Sequence, residues 1–182
     1  RATATPESPC AGGRGRHNGA TVRPRPMHPR PSLTFRRASR EDVPAIVALL
    51  ADDDLGAARE ACGDPLPEAY YRAFAAIERD ANQELTVVER DGRVVGALQI
   101  TFIPGMSYQG GWRAQIEDVR VARDLRGGGV GRSLLEWAIA RARVRECRLV
   151  QITASLTRTR ALRFYRSLGF QASHEGLKLA LD

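Results

Sequence analysis

From position 33 onward, apolar and polar residues alternate between two periods, and the changes of period mark out the elements. LTFRRA alternates as a first strand, and Val43, Ile46, Val47, Leu49 and Leu50 then recur at helical spacing. Ser39 and Asp42 stand three apart as in a capping box, and Pro44 falls in the first turn, where proline is tolerated. ADDDLGAAREACGDPLP breaks that helix, and a second is expected over about 67–79 with Tyr70, Tyr71, Phe74 and Ile77 inward. Two β-branched runs flank Asp91-Gly92, a strong short hairpin signal, and WRAQIEDVRVARD reads as the next strand. A helix over 130–145, a strand in RLVQIT, a helix in TRTRALRFYRSLGF stopped by Gly169, and a last strand in GLKLAL complete the pattern. The order is β-α-α-β-β-β-α-β-α-β, with one more short strand near Gln171. It describes an α/β (α+β) chain with helices flanking a sheet.

Composition changes this picture at one end only. The net charge of +7 suggests a polyanion binder, yet residues 1–31 hold six arginines against Glu7 alone and so carry +5 of it. That segment also holds six of the ten prolines and almost no large apolar residues, so it is expected to be a disordered tail beside a domain at 32–182. Met27 stands just before the periodic region. Residues 1–26 are therefore expected to be an expression artefact or the result of a start codon placed too early, the other reading being a basic arm that touches RNA or membrane. The tail lacks a continuous apolar stretch, and no run approaches the roughly 18 apolar residues of a membrane span. A cytoplasmic protein is expected, a monomer or homodimer, with no membrane association and no nucleic-acid partner for the domain.

Cys10, Cys62 and Cys147 are too widely spaced for a metal site or a disulfide framework, and Cys147 is expected to be a small packed residue. His174 has no evident catalytic partner. Arg141, Arg143, Arg145 and Arg148 gather near a helix end, where cations favour the dipole, and read as a solvated face.

The remaining signal is DLRGGGVGRSLLEW, in which Gly127, Gly128, Gly129 and Gly131 lead directly into a helix. Glycines at a strand-to-helix turn free main-chain N–H groups to surround an anion at the positive end of the helix dipole. A P-loop is excluded, because only three residues separate Gly127 from Gly131 and Arg132 stands where lysine is required. A dinucleotide fingerprint is excluded because the third glycine is missing and the turn follows an antiparallel meander.

What fits is [RQ]-x-x-G-x-[GA], met by Arg126, Gly129 and Gly131. This stretch resembles the pyrophosphate loop of the GNAT family of N-acetyltransferases. Val119 and Val121 supply the preceding strand, and Phe164, Tyr165, Gly169 and Phe170 match the family's F-Y-x-x-x-G-F ending. The resemblance spans everything except the tail and implies a mixed, mostly antiparallel central sheet.

It implies further that acetyl-CoA is the co-substrate, with no metal, and that acetyl passes directly to the primary amine of a small molecule. Val119, Arg120 and Val121 would pair through their backbone with the pantetheine arm, and Arg126, Gly127, Gly128, Gly129, Val130, Gly131 and Arg132 would hold the pyrophosphate. Tyr165 takes the family's general-acid position. Glu117 is the candidate base, on the strand face it is expected to share with Val119 and Val121, and Asp118 is the alternative. The family's acceptor pocket maps to Asp52, Asp53, Asp54, Leu55 and Arg59, and to Tyr108, Trp112 and Arg113, with the aspartates as a possible attraction for a cationic amine. One departure is Arg158, where a frequent family form has asparagine; it either reaches a coenzyme phosphate or lies in solvent. Two other readings stay open: a non-catalytic acetyl-CoA sensor, and an enzyme acting on a protein or peptide N-terminus.

Overall fold

The computed structural model describes residues 32–181, so the basic segment at 1–31 lies outside the described residues. Five strands lie side by side in chain order: β1 (Thr34–Arg37), β2 (Gln83–Arg90), β3 (Arg93–Ile103), β4 (Arg113–Val121) and β5 (Leu149–Ile152). The first three junctions are antiparallel and β4–β5 is parallel. The β2–β3 hairpin turns at Asp91 (φ 53°) and Gly92 (φ 75°), the pair of positive values that a two-residue turn matching strand twist requires.

The helices are α1 (Val43–Ala51), α2 (Asp54–Ala57), α3 (Glu68–Arg79), a single turn α4 (Ser107–Gly110), α5 (Val130–Val144) and α6 (Thr159–Ser167). Leu134, Leu135 and Ala138 of α5 are fully buried together with Leu98, Ile100, Phe102 and Ile116 of the sheet. Each such leucine contributes on the order of 1.5–3 kcal/mol relative to exposure. Ile46 and Leu49 of α1 join the same core, while Val43, Val47 and Phe74 tie α1 to α3. Cys147 packs half-buried beside the core, as expected, and burial raises its thiol pKa.

The arginine run near the end of α5 is only partly a solvated face. Arg141 donates to both carboxylate oxygens of the buried Glu84, at 2.9 and 2.5 Å. Arg145 lies 4.6 Å from the centre of the Phe102 ring and donates to Asn82 at 3.0 Å. Period-2 and period-3.6 patterns reveal faces, and they cannot show that a buried carboxylate awaits an arginine from another element.

Two expectations need correction. The last strand, expected in GLKLAL, is not formed: no strand follows α6 among the described residues, and Leu177, Leu179 and Leu181 are 86–90% exposed. Alternation makes an extended segment plausible, but a strand also needs an edge to pair with and a surface to cover.

The second correction concerns β4. Gln99 pairs with Glu117 and Ala97 with Arg120, so Asp118 and Val119 together oppose Leu98. This is a β-bulge, with Asp118 at φ 49°. Because Ala97 and Gln99 share one face of β3, their partners Arg120 and Glu117 share it too. Val121 opposes Gly96 and faces α5, since a Cβ on Gly96 would lie 3.8 Å from Leu134 Cδ2. Glu117 therefore lies on the face of Arg120 and Gln115, opposite Val119 and Val121.

Candidate active site

The parallel pairing of β4 with β5 ends at Ile116–Ile152, while β4 continues to Val121. From Glu117 onward, β4 has β3 on one edge and no strand on the other. The amide of Ala122 donates to Val95 on the β3 side at 2.9 Å, so the N–H and C=O groups of Val119 and Val121 point to the unpaired edge. One of these groups is taken: Val121 C=O accepts from Arg126 Nε at 2.9 Å.

The glycine turn follows. Gly127 (φ 83°) and Gly129 (φ 93°) occupy left-handed conformations, and a Cβ on either would meet nothing within 4 Å, so backbone conformation and not packing requires glycine there. Gly129 caps α5. Among the described residues, the amides of Gly127, Gly129, Val130, Gly131 and Arg132 donate to no backbone carbonyl. Five unpaired donors at the positive end of a 15-residue helix suit a pyrophosphate, so the residues present fit coenzyme A. Gly128 differs, its amide bonding to Leu125 C=O at 3.1 Å.

Two arginines assigned to this loop by resemblance are engaged with protein groups. Arg126 spends its guanidinium on Val121 and Asp52, and exposed Arg132 forms a 3.6 Å ion pair with Glu136 within α5. The backbone of the turn, more than these side chains, is what faces an anion.

Tyr165 lies half-buried on α6 between Phe164 (ring centres 5.6 Å apart) and Phe170 (6.1 Å). Its hydroxyl has no hydrogen-bond partner among the described residues. Burial raises its pKa, with Arg158 and Arg120 opposing, so the phenol stays protonated through neutral pH. Phe164 reaches the turn: a Cβ on Gly131 would lie 3.7 Å from Phe164 Cζ and 3.6 Å from Val121 Cγ2. The unpaired edge, the start of α5 and the α6 aromatic pair thus meet at one point.

On the Glu117 face the charges reverse the sequence expectation. Asp53 is the N-cap of α2, accepting from Gly56 N at 2.7 Å, and its other oxygen binds Arg158 Nη2 at 2.5 Å and Arg120 Nη1 at 3.5 Å. Burial would raise the Asp53 pKa, but Gly56 N–H, Arg120 and Arg158 outweigh it and leave the carboxyl below its usual range. Asp52 is taken up by Arg123 and Arg126. Neither is available to draw in a cationic amine. Arg158, one of whose two sequence readings was solvent, points inward instead.

Glu117 and Asp118 are exposed and make no ion pair among the described residues. Leu55 is 48% exposed on α2, two residues after the N-cap Asp53. Trp112 is half-buried against the core, and Arg113 begins β4, about 20 Å of strand away from Arg120. The structure therefore does not bring these two together with the arginine cluster. A surface depression of about 470 Å³ between Pro44, Val47 and the 62–71 segment shares no residue with this site. Among the described residues no group of His, Cys, Asp and Glu is arranged to hold a metal, and no helix is long and apolar enough to cross a membrane.

The family model described as "Acetyltransferase (GNAT) family" matches residues 46–170, which include the unpaired edge, the glycine turn and Tyr165. The chain belongs to the GNAT acetyltransferase family. It is an N-acetyltransferase of that family, which uses acetyl-CoA. It is 28% identical over 145 residues to the aminoalkylphosphonate N-acetyltransferase of Salmonella typhimurium, covering 79% of this chain and 88% of the relative. It is 32% identical over 90 residues to the glucosamine 6-phosphate N-acetyltransferase of Trypanosoma brucei brucei, covering 50% of this chain and 59% of that one. Among solved structures, a protein from Bacillus halodurans C-125 described as a transcriptional regulator is 49% identical with a TM-score of 0.80, over 82% of this chain and all of the other.

Proposed function

We propose that the protein transfers acetyl from acetyl-CoA directly to the primary amine of a small molecule. The observation that carries this reading is the convergence at Gly131 of Val121, from the unpaired edge, with Phe164, the neighbour of Tyr165. The unpaired groups of Val119 and Val121 receive the pantetheine arm as an added strand would, and the amides of Gly127 and Gly129–Arg132 hold the pyrophosphate. Acetyl-CoA supplies an acetyl group already activated as a thioester.

Glu117 removes a proton from the acceptor ammonium, freeing the lone pair that attacks the acetyl carbon. A C–N bond forms, the C–S bond breaks, Tyr165 gives its phenolic proton to the departing sulfur, and the second proton that the nitrogen sheds restores the phenol, leaving the amide and free coenzyme A. The relatives whose names specify small-molecule amines support a small acceptor over a peptide N-terminus.

Thiol release from acetyl-CoA with a panel of primary amines tests the reading. Release with one amine class is expected, with kcat reduced about 10²–10⁴-fold in Tyr165→Phe and in Glu117→Gln while acetyl-CoA affinity is kept. Bound acetyl-CoA with no transfer to any amine, or transfer indifferent to both substitutions, would overturn it.

A further inference from the structure

Arg120 is 8% exposed, yet its guanidinium is poorly satisfied. Its Nε is buried with no partner among the described residues, and its one ion pair is the 3.5 Å contact to Asp53. A buried guanidinium is ordinarily paired through several of its five donors. Asp53 does not meet that demand, because its oxygens already serve Gly56 N–H and Arg158. Asp53 and Asp118 act favourably on the charge of Arg120, while burial, Arg158 and Arg59 oppose them. Burial first, then Arg158, lower the pKa of Arg120, the direction expected of a cation short of anions.

We propose that the acceptor amine carries an oxyanion, a phosphonate or carboxylate, held by Arg120 and Arg158. The inference rests on the acetyl-transfer reading and names its substrate class. An oxyanion offers the several acceptor lone pairs that Arg120 lacks, in the planar geometry guanidinium groups bind best. Arg120 shares its face with Glu117, and their β3 partners Ala97 and Gln99 stand two residues apart, about 7 Å along the strand. An ammonium at Glu117 and an oxyanion at Arg120 thus fit one molecule in which a short alkyl chain joins the two. Arg158 is held at the site by Asp53, so the cradle exists before the acceptor arrives.

The test is calorimetric titration of the full chain, saturated with coenzyme A, with 2-aminoethylphosphonate, β-alanine and the neutral-tailed ethanolamine. The two anionic amines are expected to bind at least about tenfold more tightly than ethanolamine, the scale of a charge-assisted pair. Arg158→Gln and Arg120→Met should abolish that preference, and Arg120→Lys should keep part of it. Arg158→Gln is only partly buried and guards against a folding defect in Arg120→Met. Coenzyme A affinity should stay within about twofold in Arg158→Gln. Equal binding of charged and neutral amines would overturn the proposal, as would a loss of coenzyme A affinity in Arg158→Gln, which would assign the guanidinium to a coenzyme phosphate. Binding of the phosphonate without acetyl transfer, followed in parallel, would uphold the oxyanion site and count against the catalytic reading.

Discussion

The Nη2 of Arg126 donates to the main-chain carbonyl of Asp52 at 2.9 Å and to its carboxylate at 3.0 Å, fastening the glycine turn to the end of α1. The same carboxylate accepts from Arg123 N–H at 3.0 Å and Arg123 Nε at 3.2 Å. One side chain at the end of α1 thus fixes two residues, Arg123 and Arg126, of the segment that leads into the turn.

Asp52→Ala removes this anchor without touching the turn. The amides at Gly127 and Gly129–Arg132 would then lose part of their preorganisation. A rise of about 5–30-fold in the dissociation constant for acetyl-CoA is expected, with Tm lowered by only a few degrees because the ion pairs are largely exposed. Titration with acetyl-CoA beside a thermal melt checks it. Unchanged affinity would mean the turn holds its shape unaided.

Within the turn, Gly129 and Gly131 should respond oppositely to alanine. Gly129 sits at φ 93°, where an L-residue is strained by about 1–2 kcal/mol. Gly131 lies inside α5, and its added Cβ would make ordinary contacts at 3.6–3.7 Å. Gly129→Ala should weaken acetyl-CoA binding about tenfold or more, and Gly131→Ala by no more than about threefold. Equal effects of the two would remove the conformational argument for the first.

The glycine turn, the Asp91-Gly92 hairpin and the helix faces were legible because each is a local choice: a φ that only certain residues take easily, or a period that one face must bury. What escaped the sequence depends on partners far along the chain. The bulge at Asp118 puts Glu117 on the Arg120 side, and nothing in IEDVRV distinguishes it from regular alternation. The aspartate run read as an open acidic patch, yet Asp52 and Asp53 are claimed by Arg123, Arg126, Arg120 and Arg158. Arg120 was expected to meet the coenzyme through its backbone, whereas alternation turns its N–H and C=O toward Ala97 of β3, and its side chain lies on the Glu117 face.

Acid stability should report on Asp42. Its carboxylate accepts from Arg36 at 2.6 and 2.9 Å and from Ser39 N–H at 2.7 Å, and the Arg36 bonds lead in lowering its pKa from 3.8 to about 2. A carboxyl depressed in the folded state stabilises above its unfolded pKa, and the contribution is lost as pH falls through the folded value. About 1–2 kcal/mol, discounted for the exposure of Arg36, should therefore disappear between about pH 4 and pH 2. Urea unfolding of wild type and Asp42→Asn at pH 7 and pH 2 checks it. The two should differ at pH 7 and converge at pH 2, and a gap that persists at pH 2 would trace the loss to packing instead.

The Glu84–Arg141 pair should be asymmetric to mutation. Glu84 is 3% exposed at its side chain and Arg141 36%, so one partner is committed to the interior and the other is not. Burial acts to raise the Glu84 pKa, and Arg141 is the main cause of its net depression, with Arg37 and Arg145 adding less. Glu84→Gln leaves Arg141 free to turn to water, so about 1–2 kcal/mol should be lost. Arg141→Met leaves a buried carboxylate with only the 3.6 Å contact of Arg37, and about 3 kcal/mol should be lost at pH 7. In that variant the folded pKa of Glu84 should rise above its unfolded value, so acidification toward pH 5 should return part of the stability relative to wild type. Denaturant melts of both variants at pH 7 and pH 5 measure this. Equal losses, or no relative recovery at pH 5, would mean that the neighbouring arginines already neutralise Glu84 without Arg141.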